Sequence, residues 1–179
     1  AEAQLLREAG RYRDAFDVLA QGLARAPDDA GLLYDAAMVA ERLDKLDVME
    51  GHLRRLIELR PGYAHAYNAL GYTFADRNIR LQEARELIER ALQLAPDDGY
   101  ILDSMGWVHF RLGDLARARE YLERAYKLKP EAEIAAHLGE VMWAQGEREA
   151  ARRLWREYRN IEPDNETLKA TLVRLKVRL

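Results

Sequence analysis

The chain has 179 residues, a third of them charged and 49% apolar, with a net charge of −3 and no cysteine. That balance carries no nucleic-acid footprint, and disulfides and thiolate metal sites are excluded. No apolar run approaches the ~18 residues that a membrane span needs, so direct membrane insertion by this segment is not expected, and the length suggests one domain.

Along the chain, five prolines keep time. Pro27, Pro61, Pro96, Pro130 and Pro163 are spaced 34, 35, 34 and 33 residues apart, and there is no other proline. A fixed period of roughly 20–50 residues marks a repeat architecture. Residues 1–29 hold a partial unit, with a stop at Gly10 and a second apolar pattern ending at Pro27. Residues 30–63, 64–98, 99–131 and 132–165 each repeat the whole unit, and 166–179 read as a terminal helix. The partial first unit suggests a fragment of a longer array.

Inside each unit the same signals recur. Gly10, Gly113 and Gly146 lie seventeen residues before a proline, as does Asp44, while Asn78 lies eighteen before Pro96. These residue types tolerate the left-handed backbone of a helix stop. Pairs of short polar residues (Asp28–Asp29, Asp97–Asp98, Asp164–Asn165) follow three prolines and can cap the next helix. Each unit is therefore predicted to run helix, tight turn, helix, proline stop. Gly71, Gly106 and Gly139 share one position in the first helix, where the second unit has Ala37. Ala15, Ala84, Ala118 and Ala151 share one in the second helix, where that unit has Met49. Small residues kept at one period predict a close helix crossing, slightly wider at Ala37 and Met49.

The segment ILDSMGWVHF, residues 101–110, contains the three residue types of a nucleophilic triad: Asp103, Ser104 and His109. On a helix of about 100° per residue, Ser104 and His109 point roughly 140° apart, so the three cannot converge. The four histidines fall in different units, and no pair has the i, i+4 spacing of a helical metal site. No catalytic residue, metal or cofactor is expected.

The phrases AYNALGYTFADR, ILDSMGWVHFRLGDLARAREYLERAYKLKP and IAAHLGEVMWAQGEREAARRLW resemble tetratricopeptide repeats (TPRs). The resemblance implies an all-α TPR solenoid, a right-handed superhelix whose first helices line a concave groove for a protein or peptide partner. The family's groove positions fall on Tyr34, Met38, Glu41 and Arg42; then His65, Asn68, Tyr72, Ala75 and Asp76. In the last two units they fall on Tyr100, Asp103, Trp107, Phe110 and Arg111, and on Glu133, Ala136, Glu140, Trp143 and Ala144. Tyr72, Trp107, Phe110 and Trp143 are expected to form an aromatic strip flanked by Asp103, Arg111 and Glu140, or else to pack inside the array. The carboxylate clamp of chaperone-type TPRs is absent, because its positions carry Asp35, Ala69, Ser104 and His137. Residues 147–179 carry a net charge of +3, with Arg148, Arg152, Arg156 and Arg159 on one stripe that reads as a solvated face, or else as a surface for an acidic partner or the preceding acidic repeats.

NALGYTFADRNIRLQEA, with its longer turn, and ILDSMGWVHFRLG are also similar to C-terminal TPR arrays of Gram-negative outer-membrane lipoproteins. Some of those act as adaptors for a periplasmic C-terminal processing protease. The implied role is a scaffold in the periplasm, anchored to the outer membrane in the full-length protein, with self-association through the repeat ends. A cytoplasmic scaffold, or the accessory array of an enzyme, would show the same repeats.

Overall fold

The computed structural model describes residues 2–179. Eleven helices and no strand are found among them. In chain order they are α1 Glu2–Glu8, α2 Tyr12–Arg25, α3 Ala30–Arg42, α4 Leu46–Leu59, α5 Ala64–Asp76 and α6 Leu81–Leu94. The remainder are α7 Gly99–Arg111, α8 Leu115–Leu128, α9 Ala132–Ala144, α10 Arg148–Ile161 and α11 Glu166–Arg174. The helices pair by short turns into an all-helical, helix-turn-helix array.

The turns follow the residues that set them. Gly10, Gly113 and Gly146 all have positive φ, and Asp44 and Asn78 adopt the same left-handed backbone at φ 59° and 56°. Arg80 is left-handed too, at 47°, an outcome the residue type did not announce. It belongs to the longer turn before α6, where its guanidinium lies 4.4 Å above the Phe74 ring and pairs with Glu50 and Glu83. Of each polar pair after proline, the second residue caps. The side chains of Asp29, Asp98 and Asn165 accept from the backbone N–H of Leu32, Ile101 and Leu168 at 2.8, 3.2 and 3.0 Å.

The second helices of the last four pairs each bury one stripe at i, i+4, i+7, and α2 buries its first two positions, Ala15 and Leu19. Met49, Leu53 and Leu56 are repeated as Ala84, Ile88 and Ala91, then Ala118, Leu122 and Ala125, then Ala151, Trp155 and Tyr158. The first helices are flanked on both sides and are buried nearly all round in α7 and α9. Helix crossings are closest at the shared glycines. A Cβ on Gly71 would sit 2.8 Å from the Ala84 carbonyl oxygen, and one on Gly106 would sit 2.5 Å from Leu122 Cγ. In the last pair Trp155 lies directly over Gly139, and its indole N–H donates to the Ala136 carbonyl at 3.3 Å. The small residues thus let bulky neighbours of the next helix approach the backbone.

Candidate partner-binding groove

First helices of four successive pairs share one open trough. Tyr34 and Met38 come from α3, and His65, Asn68, Ala69 and Tyr72 from α5. Tyr100, Asp103 and Ser104 come from α7, and Glu133 from α9; together they line about 360 Å³. The array is curved enough here for Tyr72 on α5 to reach α9, two pairs on. Its hydroxyl lies 3.5 Å from both Glu133 Oε1 and His137 Nε2.

Asp103 and His137 form the electrostatic centre. His137 Nδ1 lies 2.9 and 3.0 Å from the two Asp103 carboxylate oxygens, and both side chains are buried. Burial alone would push the His137 imidazole down, but the Asp103 charge and hydrogen bond, with Glu133 and Asp76 beyond, hold it above its usual value. Burial raises the neighbouring Glu133 carboxyl, against the pull of His137. Burial, with the nearby Asp76, Glu133 and Asp103, pushes the Tyr72 phenol well up. Tyr72 therefore stays protonated at neutral pH and serves as a hydrogen-bonding wall rather than a nucleophile.

The triad letters of the 101–110 segment go three ways. Asp103 takes His137, Ser104 donates to the Tyr100 carbonyl of its own helix at 3.0 Å, and His109 stacks on Tyr121 of α8. Burial lowers the His109 pKa.

The residues expected along the groove separate into layers. His65 and Tyr100 are exposed, and Asn68 and Tyr72 half-buried, all four at the trough. Trp107 is only 2% exposed, which corrects the expectation that it presents an aromatic face to a partner. Its ring stacks on His137 and Phe110 at centroid distances of 4.2 and 5.0 Å, its N–H donates to Asp76 at 3.2 Å, and Arg111 covers it. Asp103 and Glu140 are likewise buried, because each finds a partner two helices on, His137 and Arg174. Phe110 is half-buried where the apolar cluster of α3 to α7 meets that of α8 to α11. Trp143 stands apart from the strip, against Trp155 and beneath Arg148 and Arg152. Those two members of the basic stripe cover an aromatic ring as well as meeting solvent.

Helix α11, expected only as a terminal helix, is also a wall. It packs on α9 and lines a second hollow of about 410 Å³, opposite Tyr72, Asp76, Trp107, Arg111 and His137. One polar atom in the first trough lacks a mate: Asn68 Oδ1 is buried and makes no hydrogen bond.

Three family profiles, each described as tetratricopeptide repeat, match residues 50–99, 77–131 and 109–175. The TPR repeat-containing protein PA4667 of Pseudomonas aeruginosa is 48% identical over 139 residues, covering 78% of this chain and 24% of that protein. The chain spans about a quarter or less of the length of the curated relatives it matches. Among solved structures, TTC0263, a thermophilic TPR protein of Thermus thermophilus, superposes with a TM-score of 0.84 at 22% identity. The match covers 98% of this chain and 96% of that one. The APC/C hetero-tetramer Cut9–Hcn1 gives 0.83 at 16% identity, covering 96% and 35%. These two likenesses show the fold.

Proposed function

Because the chain belongs to the tetratricopeptide-repeat family, we propose that it is a non-catalytic scaffold whose trough holds a segment of a partner protein. One observation carries this: four successive first helices bring Tyr34, Met38, Asn68 and Tyr72, with the exposed His65 and Tyr100, to one open trough. The trough mixes aromatic surface with a few polar groups, as protein-binding surfaces do. Its neighbour in fold, Cut9–Hcn1, is itself a protein assembly.

The test is the affinity of the partner for an Asn68→Leu variant. A loss of tenfold or more, with an unchanged thermal midpoint, supports the trough. Unchanged affinity overturns it.

In the full-length protein we assign the array to the periplasm, anchored to the outer membrane and recruiting a C-terminal processing protease or its substrates. The phrases NALGYTFADRNIRLQEA and ILDSMGWVHFRLG support this assignment. Incorporation of labelled palmitate into the full-length product, and its recovery with outer membranes, are the expected results. Recovery only from the cytosol replaces this assignment with a cytoplasmic scaffold.

A further inference from the structure

The second hollow has an occupant along one side, and the chemistry of that occupant is specific. Glu166, Thr167, Ala170, Thr171 and Arg174 of α11 line it at i, i+1, i+4, i+5 and i+8, a single stripe of the helix. At one end Glu166 accepts from both terminal nitrogens of Arg42 on α3, at 2.8 and 3.2 Å, a contact spanning 124 residues. At the other end Arg174 donates to both carboxylate oxygens of Glu140, at 2.7 and 2.6 Å.

These two ends are unequal. The Arg42–Glu166 pair is exposed, and exposed pairs hold little. The Glu140 side chain is 4% exposed, and among the described residues its ion pair is with Arg174. A buried carboxylate stripped of its cation is strongly unfavourable, so whatever lies against α9 must bring one. Helix α11 itself is nine residues long and is joined to α10 through residues 162–165. A helix that short gains its order from what it packs on.

We propose that α11 is a tethered occupant of a helix-binding site, displaced by a partner helix that carries an arginine two turns after a carboxylate, with small side chains on the stripe between them and apolar ones where α11 places Leu168 and Leu172. The arginine replaces Arg174 on Glu140, the carboxylate replaces Glu166 on Arg42, and the small residues clear Tyr72 and Trp107. This deepens the scaffold reading, on which it rests, by naming the shape and charge of one ligand.

A fluorescent peptide of residues 162–179 serves as the probe, added to the intact protein. Wild type, whose own α11 holds the site, should bind it at least tenfold more weakly than an Arg174→Glu variant, in which like charges eject α11. The same peptide carrying Arg174→Ala should lose at least tenfold in binding to that variant. Equal binding to both proteins, or none to either, overturns the proposal. Should Arg174→Glu lose helix content beyond α11, Arg174→Gln takes its place. A second readout uses the wild-type protein alone: amides of α11 should exchange at least tenfold faster than those of α9, and equal protection overturns displacement. A partner that still engages the Asn68 trough after such a result leaves the scaffold reading standing.

Discussion

The imidazole of His137 is held between two neighbours, with the Trp107 ring stacked at 4.2 Å and the Asp103 carboxylate 2.9 Å from Nδ1. This contact joins α7 to α9 and makes Trp107 part of the packing behind the trough. Trp107→Ala should therefore cost ~3–5 kcal/mol of stability, in the range for a buried Trp truncation. Trp143→Ala should cost less, since that ring is only half-buried. Denaturant midpoints of the two variants check the order.

Stability should depend on pH through the same cluster. The folded state holds the His137 and Glu133 protons more tightly than the unfolded chain does. Their contribution is complete below the unfolded values and drains away as pH rises through the folded ones. The stabilisation should thus weaken between mildly acid and alkaline solution, and His137→Gln should flatten that part of the profile. A wild-type midpoint that rises across this range, unaltered by the substitution, would contradict the assignment. Removing the partner instead, by Asp103→Ala, should cost ~3–5 kcal/mol, as for any broken buried pair.

Two glycine-to-alanine changes should have opposite signs. At Gly51 in α4 a Cβ would meet nothing within 4 Å, so alanine should gain up to about 1 kcal/mol of helix propensity. At Gly71 the added methyl meets the Ala84 carbonyl oxygen and Ile88, and backbone cannot move aside as a side-chain tip can. Overpacking of this kind costs ~1–3 kcal/mol, more than the propensity returns. Thermal midpoints should rise for the first variant and fall for the second.

The N-terminal pair leaves apolar surface in solvent. Leu5 is 66% exposed, and α1 contains no buried residue. Sedimentation should show concentration-dependent association that Leu5→Ser weakens. A monomer at every concentration would remove the proposed contact between array ends.

Much of this architecture was readable in the proline period, because a constant repeat length places residue i beside a residue about one period on. Asp103–His137 and Glu140–Arg174 are both separated by 34 residues, and Asp44–Arg77 by 33. The pairing of Asp103 with His137 is written in that offset between first helices and in neither helix alone. Which of the two expected places Trp107 takes, groove face or packing, is hidden for a related reason. Its position on the inner helix is visible in the sequence, yet the curvature that packs His137 onto it depends on how the pairs rotate. The Arg42–Glu166 contact lies further out of reach, since it sums the rotation of several pairs and no local spacing encodes it.

The claim that the trough is the binding face is tested most directly by site-specific photo-crosslinking in cells that make the full-length protein. A crosslinker at His65 or Tyr100, both exposed at the trough, should capture a partner, and Asn68→Leu should abolish the capture. The same crosslinker at Glu120, on the exposed side of α8, should yield no such product. Capture from Glu120 with none from His65 or Tyr100 would contradict the account and move the binding face to the outer helices.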